Sequence, residues 1–183
     1  MPVNAPNHNL EMLAPSFNLL NVDGNFFTLD QLRGKNGTVI AFICNHCPYV
    51  KAIAYRLKKD ADELELNSIN MITIMSNDVV NYPDDSYENM KKFSEKYKFN
   101  FPYLLDETQD IAKKYNAICT PDFFGFDKNL KLKYRGRIDS GIMNSNKSDK
   151  IERELFNAMI KIKNEGTGPV KQNNSIGCSI KWK

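Results

Sequence analysis

Two cysteines three residues apart, with a histidine between them and a proline directly after, hold the densest chemistry in the chain: Cys44-Asn45-His46-Cys47-Pro48. The segment before them, from Thr38 to Ile43, is a continuous apolar run with β-branched residues. That is the pattern of a strand buried on both faces. Pro48 suits the first position of a following helix, where its missing N–H would have no partner anyway. Cys47 is then the capping residue. Its sulfur faces free backbone N–H groups and the positive end of the helix dipole, which lowers a thiol pKa and favours a thiolate nucleophile at neutral pH. Cys44 lies on the turn and lacks that help.

The same cluster is open to other readings. His46 is either electrostatic or proton-relay support for a thiolate, or an exposed turn residue. Cys44, His46 and Cys47 could ligate zinc or copper, but the remaining histidine is His8, far away near the start, and no metal is assigned. A second candidate lies at Cys119-Thr120-Pro121, directly before the apolar run Asp122 to Phe126. A proline there is ordinarily trans and is cis in some tight turns. Cys119 reads as a small buried hydrophobe or as a second reactive thiol. Cys178 lies in the closing segment, whose Gly- and Asn-rich approach allows it to fold back.

These residues need elements to position them. Phe17 to Leu20 and Phe26 to Thr28 flank Asp23-Gly24, a hairpin signal, and Leu29 to Leu32 makes one helical turn closed by Gly34. After the buried strand, Val50, Ile53, Ala54, Leu57, Ala61 and Leu64 recur at helical spacing and predict a helix from Pro48 to Leu66. A second buried strand runs from Ile69 to Met75, then a polar loop from Ser76 to Ser86, then a helix from Tyr87 to Tyr97. Tyr103 to Leu105 precedes a helix over Thr108 to Tyr115. Two strands, Asp122 to Phe126 and Leu130 to Tyr134, join at Asp127-Lys128-Asn129, and a last helix covers Lys150 to Ile162. Buried strands alternating with helices imply parallel pairing and right-handed crossovers. The late strand pair implies an antiparallel edge. The fold class is α/β, a central mixed sheet flanked by helices with an N-terminal hairpin. Residues 1–13 read as a polar leader, 14–164 as one domain and 165–183 as a C-terminal tail.

Composition excludes more than it assigns. The chain has 183 residues, 42% hydrophobic and 26% charged, with 25 Lys+Arg against 22 Asp+Glu. The net charge of +3 is spread along the chain and demands neither nucleic acid nor an anionic membrane. The basic stretch from Lys131 to Arg137 reads as a solvated face. Four cysteines are too few for a secreted disulfide scaffold. No apolar run approaches the ~20 residues that span a bilayer, and no secretory signal is visible. The expected location is cytoplasmic, where closely spaced thiols stay reduced and read as redox-active.

Strand–Cys–helix followed by Thr-Pro before an antiparallel strand pair resembles the thioredoxin superfamily. Ala14-Pro15-Ser16-Phe17 through Asp23-Gly24 to Gly34 resembles the opening of peroxiredoxin and redoxin domains. More closely, Asn45-His46-Cys47-Pro48-Tyr49-Val50-Lys51, Ser76-Asn77-Asp78, Phe101-Pro102-Tyr103-Leu104-Leu105-Asp106-Glu107, Cys119-Thr120-Pro121-Asp122-Phe123-Phe124 and Ser175-Ile176-Gly177-Cys178-Ser179-Ile180-Lys181-Trp182 resemble the peroxiredoxin-like subgroup of thioredoxin-fold proteins.

The resemblance implies a thioredoxin-like fold and an antioxidant thiol oxidoreductase. Cys47 would attack a peroxide or a disulfide, and a thioredoxin- or glutathione-like donor would supply electrons without an organic cofactor. Counted from Phe42, the family's attacking cysteine maps to Cys47. Its usual partner three residues later is Val50, so the resolving thiol would be Cys44, Cys119, Cys178 or an external one. Thr120-Pro121 would form the cis-proline loop facing Cys47. Where peroxiredoxins place a threonine, this chain has Cys44, a much weaker donor. Arg135 and Arg137 lie near the arginine those enzymes use, without matching its spacing. The runners-up are a thiol–disulfide reductase using Cys44 and Cys47, and a non-catalytic redox sensor or metal carrier. A homodimer is left open.

Overall fold

The computed structural model describes residues 2–4, 12–143 and 151–183. His8, most of the leader and the expected start of the last helix at Lys150 lie outside them. Ten strands and five helices are present among the described residues. In chain order the first strands are β1 (Pro2–Asn4), β2 (Asn18–Asn21) and β3 (Phe26–Thr28), followed by α1 (Leu29–Leu32). The centre is β4 (Gly37–Phe42), α2 (Pro48–Glu65), β5 (Ile69–Met75), α3 (Tyr87–Tyr97), β6 (Tyr103–Leu105) and α4 (Asp110–Lys114). The chain closes with β7 (Cys119–Thr120), β8 (Asp122–Phe126), β9 (Leu132–Gly136), α5 (Glu154–Glu165) and β10 (Ile176–Ser179).

Seven strands form one sheet in the order β3-β2-β6-β5-β4-β8-β9. β4 pairs parallel with β5, and β5 parallel with β6. β8 joins β4 antiparallel and β9 joins β8 antiparallel. The sheet is therefore mixed, and the hairpin β2–β3 extends its far edge.

The apolar run of β4 is explained by its place in the middle. Successive side chains point to opposite faces. Val39 and Ala41 pack with Ile53, Leu57 and Leu64 of α2, and with Met159 of α5. Ile40 and Phe42 pack on the other face with Ile72, Ile74, Phe124 and Tyr115. Both faces are dry, so no alternation of polar residues is tolerated. The Asp23-Gly24 turn closes as expected, with Gly24 at φ +89°.

Register then dictates where the ends of strands meet. β4 ends at Phe42, which pairs with Asp122, the first residue of antiparallel β8. The turn that follows β4 and the Thr120-Pro121 step that precedes β8 are thereby forced to the same end of the sheet. The Thr120–Pro121 peptide is cis, as the resemblance implied.

The closing segment is part of the fold. β10 pairs antiparallel with β7, Cys178 opposite Thr120 and Ser179 opposite Cys119, and β1 pairs along its other edge. Beyond the strand, the Lys181 N–H donates to Asn77 Oδ1 and the Lys181 carbonyl accepts from Asp78 N–H and Gln109 Nε2. Before it, the Ser175 hydroxyl donates to the Gly136 carbonyl.

Gly177 makes this approach possible, because a Cβ there would stand 2.0 Å from the Thr120 carbonyl oxygen. That atom is backbone and cannot swing aside. Gly177→Ala is expected to push β10 off β7 and to cost about 1–3 kcal/mol, the range for overpacking a close contact. The measurements are the urea midpoint and the yield of a peroxide-induced disulfide at Cys178, both of which should fall.

Candidate active site

Cys47 caps α2 and Pro48 occupies the first helical position. Cys47 is nevertheless completely buried, at 0% exposure. Its Sγ lies 2.9 Å from Cys178 Sγ and 3.3 Å from the Thr120 carbonyl oxygen. The Cys44 thiol also reaches it, and Cys44 Sγ is 3.2 Å from Thr120 Oγ1. Thr120 thus touches both cysteines, Cys44 through its hydroxyl and Cys47 through its carbonyl, and Cys178 touches Cys47.

The electrostatics separate these thiols. Cys47 is lowered from 9.0 to about 5, chiefly by the hydrogen bond from Cys44, while burial opposes the shift. Contact with Cys178 and the Val50 and Cys178 amides lower it further, although the sulfur makes no strict capping hydrogen bond. Cys44 is pushed well up, first by donating to Cys47 and then by burial and the charge of Asp85. Cys178 is raised from 9.0 to about 12 by burial and by the Cys47 thiolate beside it. Cys119 is also raised, by burial and by Asp122. Cys47 alone is a thiolate near neutrality, and Cys44 acts on it as a hydrogen-bond donor.

The turn carrying Cys44 and Cys47 is held by one carboxylate. Asp85 closes a short 3₁₀ turn, Pro83–Asp85, inside the segment read as a plain polar loop. Its Oδ1 accepts from the Asn45 and His46 backbone N–H groups at 2.7 and 3.2 Å. Its Oδ2 meets His46 Nδ1 at 2.5 Å and accepts from Asn77 Nδ2 at 2.7 Å. Tyr103 completes the cage, its hydroxyl donating to Asn45 Oδ1 at 2.8 Å. His46 therefore faces Asp85, and its ring stacks on Tyr82 with centroids 6.0 Å apart.

The expected residues divide accordingly. Cys47, Cys44, Thr120 and Pro121 converge. Cys119 Sγ lies 4.0 Å from the Pro121 carbonyl oxygen, and the thiol touching Cys47 comes from β10. Both arginines near the family position are engaged elsewhere. Arg135 is buried on Asp122 and the Asn116 carbonyl, and Arg137 pairs with Glu154. Donors suited to a metal ion close together at Cys44, His46 and Asp85, within 4.8 Å of one another. Sulfur, nitrogen and oxygen in that spacing suit zinc, but Asp85 already satisfies its oxygens on four N–H groups. Asp85 was invisible from sequence because its exposed neighbour Asp84 is chemically identical to it. Asn77 was visible only as part of the Ser76-Asn77-Asp78 resemblance.

Against this geometry the family comparison is clear. The model of the AhpC/TSA family matches residues 11–135. Peroxiredoxin Bcp of Escherichia coli strain K12 is 26% identical over 113 residues, 62% of this chain and 67% of that protein. Thiol-disulfide oxidoreductase ResA of Geobacillus kaustophilus is 30% identical over 149 residues, 78% of this chain and 74% of that one. The crystal structure of an uncharacterized conserved protein from Geobacillus kaustophilus is 44% identical with a TM-score of 0.93, covering 100% of this chain and 97% of that one.

Two measurements probe the site. Iodoacetamide labelling of Cys47 should be half-maximal near pH 5 in the unmodified protein. Cys44→Ala should raise that midpoint by roughly one unit or more, whereas Cys44→Ser keeps a donor and most of the shift. Because ionisation is favoured by the fold, this stabilisation is full above pH 9.0 and vanishes as pH falls through about 5. Over that window the reduced protein should lose stability relative to Cys47→Ser. Separately, Asp85→Ala leaves four N–H donors facing a void and should cost about 3 kcal/mol in denaturant unfolding, with Asp85→Asn recovering part of the loss.

Proposed function

The chain belongs to the AhpC/TSA family, and we propose that within it Cys47 is the attacking thiolate and Cys178 the thiol that resolves it. The protein is a thiol-dependent oxidoreductase of the peroxiredoxin-like kind, and no organic cofactor enters the scheme. Attack of the Cys47 thiolate on a peroxide breaks the O–O bond and forms Cys47 sulfenic acid. The leaving alkoxide or hydroxide takes up a proton. The Cys178 thiol then attacks the sulfenic sulfur, giving a Cys47–Cys178 disulfide and water.

The observation that carries this reading is the 2.9 Å contact between the two sulfurs, with the lowered pKa on Cys47 alone of the pair. A disulfide needs about 2.05 Å between sulfurs, so the partners have only a small distance to close. Cys44, itself in contact with the Thr120 hydroxyl, takes the place of the family's threonine as donor to Cys47. Cys44 is retained as a donor to Cys47 in this scheme, which sets it apart from a reductase closing a Cys44–Cys47 disulfide. A thioredoxin- or glutathione-like thiol returns the disulfide to dithiol.

No helix among the described residues is long and apolar enough to cross a membrane. The cytoplasm is the proposed compartment, since it keeps four free cysteines reduced.

Three Cys→Ser variants test the assignment. Cys47→Ser should abolish peroxide consumption, by at least ~100-fold, because no other thiol is ionised. Cys178→Ser should still form a sulfenic acid trapped by dimedone, but no intramolecular disulfide. Cys119→Ser should form the Cys47–Cys178 disulfide as the unmodified protein does. Loss of that disulfide in Cys119→Ser and its retention in Cys178→Ser would reverse the assignment.

A further inference from the structure

Three of the four cysteines meet at Cys47. Its Sγ lies 2.9 Å from Cys178 Sγ and takes a hydrogen bond from the Cys44 thiol. Cys44 and Cys47 are buried and Cys178 is half-buried. The pieces of chain that carry them are anchored: Asp85 holds the turn after β4, and β10 is paired along both edges. Cys119 stands apart, its Sγ 4.0 Å from the Pro121 carbonyl oxygen. Two of the three clustered thiols suffice for the oxidation and resolution described above. Donation to Cys47 needs only a hydroxyl, the group peroxiredoxins place there. A sulfur in that position adds a third soft ligand at the same point.

We propose that the reduced protein binds one copper(I) ion on the sulfurs of Cys44, Cys47 and Cys178. Thiolate sulfur selects soft ions. Magnesium and calcium take oxygen donors, and the carboxylate at this turn, Asp85, is committed to four N–H groups. Structural zinc is almost always four-coordinate. The histidine on this turn is a poor fourth ligand, because the His46 ring is held on Asp85 through Nδ1 and stacked on Tyr82. Three sulfurs without a fourth donor match copper(I), a soft closed-shell ion that accepts three-coordinate thiolate sites.

With metal–sulfur bonds of ~2.3 Å, the sulfurs of a trigonal site stand ~4 Å apart. Cys47 and Cys178 therefore separate by about 1 Å from their 2.9 Å contact as the ion enters, a movement that side-chain torsions supply. Each thiol that binds as thiolate gives its proton to solvent, and no electron is transferred. The negative charge of the filled site lies at the positive end of α2, which Cys47 caps. The site stands on the positions of the sulfurs alone. One consequence rests also on the pairing proposed above: a Cys47–Cys178 disulfide removes two of the three ligands, so the protein holds copper(I) only while reduced.

The test uses the full chain, reduced and kept under nitrogen. Copper(I) is supplied as its acetonitrile complex, with bathocuproine disulfonate as the competing coloured chelator. The reduced protein should withdraw one equivalent of copper from the chelator and show an ultraviolet copper–thiolate band. Cys44→Ser and Cys178→Ser should each weaken uptake at least tenfold, and Cys119→Ser should leave it unchanged. Cys44→Ser keeps a hydrogen-bond donor beside Cys47, so its loss of copper separates a ligand from a mere donor. Failure of the reduced protein to take copper, or full uptake by Cys44→Ser or Cys178→Ser, overturns the proposal. In a second arm the metal-free protein is oxidised with one equivalent of hydrogen peroxide, mapped by mass spectrometry and titrated again. A protein carrying the Cys47–Cys178 disulfide should leave the copper with the chelator, and undiminished uptake by it overturns the site. A different disulfide in the map overturns the pairing, while the titration of the reduced protein still decides the site.

Discussion

A thiolate with no access to water loses its hydration, and the protein must replace it with donors of its own. Burial alone pushes a thiol pKa up. At Cys47 the opposite net result is reached because several donors converge on one sulfur: the Cys44 thiol first, then Cys178 and the amides of Val50 and Cys178. These donors arrive on three different pieces of chain. The turn after β4 brings Cys44, the first turn of α2 brings Val50, and β10 brings Cys178. The site exists only where these three pieces are held together, so the constraint on one charge reaches through the whole sheet.

Two devices do the holding. The pairing of Phe42 with Asp122 sets the β4 turn against the Thr120 backbone, which places the Thr120 carbonyl and hydroxyl over Cys47 and Cys44. Asp85 then fixes the turn itself, gripping two successive N–H groups and the His46 ring. A buried carboxylate with four partners has lost its water but keeps nearly its full set of hydrogen bonds, the condition under which a buried charge is tolerated. Its negative field also raises Cys44, which keeps that thiol protonated and able to donate. Asp85 therefore supports the Cys47 thiolate through a neighbour it keeps neutral.

The fold was largely legible from spacing. The strand from Ile69 to Met75 and the helix from Tyr87 to Tyr97 occur with the bounds their patterns predict, because their apolar positions must face one core. Elements held by a few side-chain contacts were placed less well. The helix expected over Thr108 to Tyr115 is trimmed to Asp110–Lys114, since Asp106 caps it by accepting from the Ile111 and Ala112 N–H groups. The strand expected from Leu130 starts at Leu132, because Leu130 adopts φ +60° in the connecting turn. At the site, Cys47 was legible because capping is a local property. Its contact with Cys178 was not, since it spans 131 residues and depends on a four-residue strand with no apolar alternation.

Peroxiredoxins use an arginine near the attacking thiol; Arg135 and Arg137 lie near that position in this sequence without matching its spacing, and the structure shows both engaged away from Cys47. Arg135 neutralises Asp122 in the opposite core and lies over the Phe124 ring, 4.4 Å from its centroid. Removing it to serve Cys47 would leave a buried carboxylate unpaired. Arg137 is committed to Glu154, which ties β9 to α5. Stabilisation of the thiolate therefore falls to neutral S–H and N–H dipoles a few ångströms away. Such dipoles act only at contact range, so they favour one sulfur and leave Cys119, further along β7, protonated. A guanidinium would act over a longer distance and would be screened by salt. Selectivity among four thiols in one protein follows from the short reach of the groups that stabilise the chosen one.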